Sequence, residues 1–247
     1  MNQSSLPLIS IITVVYNGVK TIEQTIQSVL NQTYVNIEYI IIDGGSSDGT
    51  IEIVKKHQDR LSYWVSERDN GIYDAMNKGI KQAKGDFIGI INSDDWYELD
   101  AVETIVNKIK TNKNASVIYG LLRYFKNDSF YCIMGTSSEY LCSGMIEHST
   151  CFVKKEVYKT YGNFKTNYRI LADYEFMSRI KAINLEFLLL EKVISNFRMS
   201  GISNTNYYLR YKEFYTIQYL NGCISKKKYL IQNIKLYIKS FIIWMQL

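Results

Sequence analysis

Apolar residues in this chain gather in short unbroken runs, separated by segments in which they recur at helical intervals. Ser10 to Val15 is the first run, Ser-Ile-Ile-Thr-Val-Val, and Tyr16-Asn17-Gly18 ends it. From about Thr21, Ile22, Ile26, Val29 and Leu30 fall on one helical face. Ile37 to Ile42 forms a second run that stops at Asp43-Gly44-Gly45-Ser46-Ser47-Asp48-Gly49-Thr50. Asp48 or Thr50 is placed there to cap a helix with Ile51 and Val54 on its inner face. A short strand is expected near Ser62 to Ser66. A helix over about Ile72 to Ala83 turns Tyr73, Met76 and Ile80 inward and stops at Gly85. The fourth run, Phe87 to Ile91, leads into Asn92-Ser93-Asp94-Asp95. The helix after it shows Leu99, Val102, Ile105, Val106 and Ile109 on one face, and Val117 to Leu121 is the fifth strand. Strands alternating with helices predict an α/β fold with a mostly parallel central sheet flanked by helices.

From Leu122 this rhythm is lost, and residues 122–153 read as irregular strands and loops. Helices are expected near 154–161 and 173–184, strands at 186–190 and 193–197, and two helical stretches over about 204–221 and 226–246. No internal repeat or low-complexity segment interrupts the pattern. Of the 247 residues 47% are hydrophobic, which excludes global disorder, and Pro7 is the single proline, which excludes a Pro-rich linker. Tyr is abundant at 21, which suits sugar-facing surfaces and sheet packing alike. Cys132, Cys142, Cys151 and Cys223 form no Cys-x-x-Cys pair. Met1 to Ser5 is polar and uncharged, unlike a secretory leader. The expectation is a cytoplasmic protein with free thiols, in which the Asn31 and Asn114 sequons carry no glycan. The net charge of +5 resides in Lys226, Lys227, Lys228, Lys235 and Lys239, in a stretch without Asp or Glu. Such a tail indicates a membrane surface or a partner, and gives no case for nucleic acid.

The candidate chemistry begins at Asp94 and Asp95, just past the end of a buried strand. In open α/β sheets that edge is where ligands bind. Two adjacent carboxylates repel unless a cation lies between them, and a hard divalent ion shared with a substrate's phosphates meets that need. The other reading is an Asp-rich turn capping the helix that starts near Leu99. The Gly44–Gly49 spacing matches a phosphate-binding P-loop, but Thr50 stands where that loop needs Lys. A dinucleotide fingerprint fails too, because Ser46 occupies its middle glycine and the loop follows the second strand. Asp43 and Asp48 repel phosphate and suit hydrogen bonding to a base or ribose. Equally, they could stabilise a turn.

Four blocks occur in order: Thr13-Val14-Val15-Tyr16-Asn17, Ile42 to Thr50, Asp69-Asn70-Gly71-Ile72-Tyr73-Asp74-Ala75-Met76-Asn77-Lys78-Gly79, and Asn92-Ser93-Asp94-Asp95. Together they resemble the signature of the family 2 inverting glycosyltransferases with the A-type fold, as in bacterial polysaccharide, lipopolysaccharide and O-antigen sugar transferases. The resemblance implies a catalytic domain over 1–203, with a donor-binding half of about 1–121 and an acceptor-binding half of about 122–203. Residues 204–247 would be a basic helical extension. It implies a nucleotide-diphosphate sugar donor, UDP by default. Tyr16 would pack on the base, Asp43 would hydrogen-bond it, Asp94 would meet the ribose or sugar, and Asp95 would hold Mn or Mg. Asp74, at a helix start, is a weaker donor-site candidate. Asp173 would be the general base of a direct displacement, although Ala172 replaces the acid that often precedes it; its other role is a helix N-cap. His148 is either structural or a substrate or metal contact. Arg198 either grips the diphosphate or sits on the surface, ahead of a Ser200-Gly201-Ile202-Ser203 loop that only partly matches the family's.

In the tail, Lys226 onward alternates Lys with Ile231, Ile234, Ile238, Phe241, Ile242 and Trp244, and no charge-free run reaches the ~20 residues of a membrane span. This reads as an interfacial amphipathic helix on the inner face of the cell membrane, consistent with a lipid-linked glycan acceptor. A helix packed on the body and a homodimer seam are the other readings. Two rival functions stay open. A sugar nucleotidyltransferase would need a more basic N-terminal loop than Lys20 provides. A non-catalytic sugar-binding scaffold would have no need of Asp43, Asp94, Asp95 and Asp173 together.

Overall fold

A computed structural model describes residues 6–199 and 206–245. Its first half repeats strand then helix: β1 Ile9–Val15, α1 Ile22–Leu30, β2 Ile37–Asp43, α2 Thr50–Lys56, β3 Tyr63–Ser66, α3 Ile72–Gln82, β4 Phe87–Asn92. The short β5 Trp96–Tyr97 and α4 Ala101–Thr111 follow. The second half holds β6 Val117–Lys126, β7 Ser129–Met134, β8 Phe152–Lys154, α5 Lys155–Tyr161, α6 Ala172–Ala182, β9 Phe187–Arg198, α7 Tyr207–Leu220 and α8 Lys226–Met245.

All described strands join one 9-stranded sheet in the order β3-β2-β1-β4-β8-β6-β9-β5, with β7 paired to the outer part of β6. β1 to β4 are mutually parallel, as the alternating pattern predicts. Beyond them the sheet is mixed: β8 runs antiparallel to β4 and β6, while β6 and β9 are parallel. Alternate residues of the first strands enter opposite cores. Ile12, Val14, Ile40 and Ile42 pack with α3, α5 and α6. Ile9, Ile11, Tyr39 and Ile41 pack with α1 and α4. Burial on both faces is the reason these strands are unbroken apolar runs.

Residues 122–153 are more regular than expected. β6 continues through Lys126 and turns back into β7 at Asn127 and Asp128, whose φ values of 51° and 58° suit a two-residue hairpin. The two strands expected at 186–190 and 193–197 are one strand, β9, carrying a register shift against β6. The expectation of four free thiols is also corrected. Cys142 and Cys223 form a disulfide across 81 residues, leaving Cys132 and Cys151 free.

Candidate active site

Strand register assembles the site. Val15 lies opposite Asp43, Asp43 opposite Ser66, and Val14 opposite Asn92. The loops after β1, β2, β3 and β4 therefore leave the sheet along one edge. Glycine lets them close on one another. A Cβ on Gly18 would lie 3.1 Å from Ser93 Oγ, and one on Gly44 would lie 2.4 Å from Asp69 Oδ2 and 3.5 Å from the Tyr16 ring. Tyr16 itself is 67% exposed, an open aromatic face above Gly44.

Asp43 ends β2 and is built into its own loop. It accepts from the amides of Gly45 (3.0 Å) and Ser46 (2.9 Å) and from the hydroxyls of Ser46 (2.5 Å) and Ser66 (2.6 Å). It is buried, so the turn-stabilising role is the one the structure displays. Asp69 stands beside it, half-buried, with Oδ1 accepting from Gly71 N at 2.8 Å and Oδ2 against Gly44. Asp48 accepts from Thr50 N at 3.1 Å, but the residue at the helix cap position is Gly49.

The turn after β4 carries Asp94 and Asp95. Asp95 is fully buried, and among the described residues its carboxylate accepts from Arg198 N at 3.2 Å and makes a long 3.5 Å contact with the Asn92 amide. Burial, then the charge of Asp94, pushes it well above the usual carboxylate range. Burial raises Asp94 as well, against the opposing charges of Arg198 and His148. Arg198 is not simply on the surface, being mostly buried against the acidic turn. Its guanidinium stacks on Trp96 at 4.5 Å, donates to the Asp94 carbonyl at 2.7 Å and to Gln24 Oε1 at 2.5 Å, and pairs with Asp128 at 3.4 Å. It braces the acidic turn. The Ser200-Gly201-Ile202-Ser203 segment after it lies outside the described residues.

This turn suits part of a divalent-cation shell. Two carboxylates raised by burial share the turn with Asn92, whose Oδ1 is buried with no partner among the described residues. The set is all oxygen, as Mg and Mn prefer. Among the described residues no group of three or more His, Cys, Asp or Glu is placed to hold a metal. The protein would thus supply part of a shell, leaving positions for phosphate oxygens and water.

His148 and Asp173 meet at the start of α6, within the electrostatic reach of Asp94. His148 Nδ1 lies 3.1 Å from Asp173 Oδ2, and His148 Nε2 is buried without a partner among the described residues. Burial alone would depress the imidazole. The hydrogen bond and charge of Asp173 outweigh it, with help from Glu147 and Asp94, and His148 sits above its ordinary value. Asp173 is not a helix N-cap: Leu171 holds that position, and Asp173 lies in the first turn of α6. Its Oδ1 accepts from Tyr174 N at 2.9 Å and lies 2.9 Å from the Tyr73 hydroxyl, which is also 2.6 Å from the Ile170 carbonyl. Glu147 joins the group. Burial raises it, against a 2.5 Å hydrogen bond from Tyr124.

The structure thus brings Asp94, Asp95, Arg198, His148 and Asp173 into one electrostatic cluster, with Tyr16 and Asp43 on the same sheet edge. Asp74 stands apart. It accepts from Asn70 N at 3.0 Å, pairs with Lys78 at 3.8 Å, and lines a cleft of about 460 Å³ with Lys81, Lys155 and Lys159. Among the described residues no hydrogen bond or ion pair links it to Asp94, Asp95 or Asp173. Sequence reasoning missed Tyr73, Asp69 and Glu147 as neighbours of the site. Tyr73 and Asp69 belong to the block around Ile72, and Glu147 directly precedes His148.

The profile of the Glycosyl transferase family 2 matches residues 10–177. An uncharacterised glycosyltransferase of Mycobacterium tuberculosis is 30% identical over 207 residues, covering 81% of this chain and 79% of its own length. A chondroitin synthase of Pasteurella multocida is 29% identical over 79% of this chain, which spans 21% of that longer protein. Among solved structures, TarS 1–349 of S. aureus in complex with UDP-GlcNAc superposes with a TM-score of 0.72 at 16% identity, over 93% of this chain and 71% of that one. A mannosyltransferase of Pyrobaculum calidifontis, in complex with GDP-Man and Mn2+, superposes at 0.68 and 16% identity, over 94% and 70%. These likenesses show the A-type glycosyltransferase fold. With the profile spanning well over half of its length, the chain belongs to glycosyl transferase family 2.

Proposed function

We propose that this protein moves a sugar from a nucleotide-diphosphate sugar, UDP-linked by default, to a hydroxyl of a glycan acceptor, with inversion. The observation that carries this reading is the meeting of His148–Asp173 with the Asp94–Asp95 turn. A carboxylate from the second half of the chain, Asp173, is joined through His148 to the field of the carboxylate pair from the first. The donor-binding half is about 1–121 and the acceptor-binding half about 122–203. The base stacks on Tyr16 beside the Asp43 loop, and Asp94 meets the ribose or sugar. Mn or Mg would be held by Asp95 with Asp94 beside it, and when bound it supplies positive charge where the leaving diphosphate gains negative charge.

The chemistry is a single displacement. The acceptor oxygen bonds to the anomeric carbon, and the bond to the diphosphate breaks with its electron pair leaving on the nucleotide. The acceptor's proton passes to Asp173. His148 and Tyr73 hold the two oxygens of that carboxylate. Arg198 fixes the acidic turn against Trp96, so the donor meets charges that need no rearrangement. The UDP and UDP-GlcNAc complexes of TarS and the GDP-Man and Mn2+ complex of the mannosyltransferase support a nucleotide-sugar donor and a divalent ion. The chondroitin and hyaluronan synthase relatives support a glycan acceptor. The lysine-bearing helix α8 favours one attached to lipid.

A thermal-shift panel of UDP-, GDP- and dTDP-sugars, with and without MnCl2, tests the reading. A ligand that binds only the native state raises the apparent stability, by about 2.7 kcal/mol at a hundredfold excess over Kd. One nucleotide class should raise Tm, and more so with Mn. No shift with any donor, with or without Mn, would overturn the assignment.

A further inference from the structure

Helix α6 carries the base of the reading above, yet it starts without a cap of its own. Leu171 occupies its N-cap position and has no side-chain oxygen to accept an amide. The amides ahead of the helix must find acceptors elsewhere. They find one side chain. Glu213, on α7, accepts from Arg169 N at 2.7 Å through Oε1, and from Ile170 N at 3.0 Å and Leu171 N at 2.9 Å through Oε2. It is 7% exposed. A buried carboxylate filled by three amides is a strong, directional contact, and its charge sits at the favourable end of the helix.

The loop it grips is the one that sets Asp173. The Ile170–Leu171 peptide is held at its N–H by Glu213, and its carbonyl lies 2.6 Å from the Tyr73 hydroxyl. The same hydroxyl lies 2.9 Å from Asp173 Oδ1. A closed circuit thus runs from Glu213 through the Ile170–Leu171 peptide and Tyr73 to the carboxylate. Further contacts seat α7 beside it: Phe214 stacks on Tyr174 at 5.2 Å, Gln218 donates to the Cys142 carbonyl at 2.5 Å, and the Cys142–Cys223 disulfide lies just beyond the end of α7.

We propose that Glu213 is a positioning residue for Asp173, so that α7 is a working part of the active site. The proposal rests on the glycosyltransferase reading with Asp173 as base. Glu213 never meets substrate. It fixes where the first turn of α6 begins, and with it the direction of the Asp173 carboxylate. Glu213→Gln keeps the volume but removes the charge and sets an NH2 group against at least one of the three amides, which loosens the loop.

The test is a double-mutant cycle on the full chain, read as UDP release from an equimolar mixture of UDP-Glc, UDP-Gal, UDP-GlcNAc and UDP-GalNAc with MnCl2. UDP affinity is followed by calorimetry. A misplacement of an ångström at a reacting group costs about a hundredfold in rate. Glu213→Gln should therefore lower kcat by roughly that factor, with UDP affinity and donor KM unchanged within about threefold. Glu213→Asp, which keeps the charge, should recover part of the loss. In the Asp173→Asn background, Glu213→Gln should have no further effect, because it acts through Asp173. A purely structural role predicts the opposite pattern: a fall in UDP affinity, and losses that add in the double variant. Wild-type protein that releases no UDP, or Asp173→Asn protein with full turnover, would overturn the underlying reading and the proposal with it. An inactive Asp173→Asn beside a fully active Glu213→Gln would overturn the proposal alone.

Discussion

Asp95 carries its carboxylate in complete burial beside Asp94, relieved among the described residues by one backbone amide and one long amide contact. Both groups take up a proton more readily in the folded chain than in the unfolded one. Their contribution to stability is therefore full below the ordinary carboxylate value of 3.8, and is lost as pH rises through the elevated folded values. Above those values the turn holds two charges that the protein only partly offsets. A divalent ion would offset them, and its binding competes with protons. The rise in Tm on adding MnCl2 should accordingly be larger at about pH 7.5 than at about pH 5. An equal rise at both would remove the ion from this turn. The identity of these residues was legible in the chain, because Asn92-Ser93-Asp94-Asp95 follows an apolar run. Their partners were not. Arg198 reaches Asp94 across 104 residues and Tyr73 reaches Asp173 across 100, and no local pattern encodes such contacts. Asp43 shows the reverse case. Its serine partner Ser46 lies three residues on, so the turn-stabilising role was readable locally and is the one displayed.

Elements of the first half obey local rules, because β1, β2 and β4 are buried on both faces and each helix packs one face inward. Their junctions depend on close approach. Gly85 follows α3 at the end of the sheet away from the acidic turn, where its amide donates to Ser10 Oγ at 2.8 Å. Ser10 in turn donates to Glu38 at 2.5 Å, and Glu38 also accepts from Lys84 N at 2.7 Å. A Cβ on Gly85 would stand 2.5 Å from Ser10 N and 2.8 Å from the Leu8 carbonyl, both backbone atoms. Gly85→Ala should therefore cost about 2 kcal/mol, by analogy with overpacking in a core. That would lower Tm by about 4–8 °C in a chain of this size. The nucleotide-dependent Tm rise should persist, since the loops at the opposite edge are untouched. A variant with unchanged Tm would show that the backbone there gives way. The sequence marked Gly85 as the helix stop, but α3 ends at Gln82 with Ala83 in the cap position, and what demands glycine at 85 is the close approach of the Ser10 and Leu8 backbone. The β6–β7 hairpin escaped for a different reason. Arg123, Tyr124 and Lys126 interrupt the apolar run, and Phe130 and Tyr131 on β7 are exposed, so the pattern there is that of a half-solvated ribbon. The Asn127-Asp128 turn was its one local signal.

At the scale of the whole molecule the two C-terminal helices do different things. Helix α7 is anchored to the second half of the chain, at α6 and the loop before it through Glu213 and Phe214, and at Cys142 through Gln218. Helix α8 packs on α7 along one side only: Tyr229 stacks on Tyr219 at 4.8 Å, and Leu236 is buried. On the other side Leu230, Ile231, Ile234, Tyr237 and Ile238 are 42–66% exposed. Ile231, Ile234 and Ile238 follow helical spacing, with Lys228 and Lys235 along one edge of the stripe. No helix among the described residues is long and apolar enough to cross a membrane. An apolar stripe edged by lysines matches an anionic bilayer surface, with aliphatic groups at the headgroup boundary and ammonium groups among the phosphates. Each lysine near such a surface contributes about 1 kcal/mol, so Lys228→Gln with Lys235→Gln should weaken binding to phosphatidylserine vesicles roughly 30-fold. Added salt should weaken the wild type in the same direction, because the attraction falls off within a Debye length. Ile234→Ser should weaken binding to anionic and neutral vesicles alike, since it removes area rather than charge. Donor binding should survive all three substitutions, because the stripe lies opposite the face that packs on α7. Protein that ignores vesicles but sediments as a dimer, and becomes monomeric on Ile234→Ser, would make the stripe a seam between two copies.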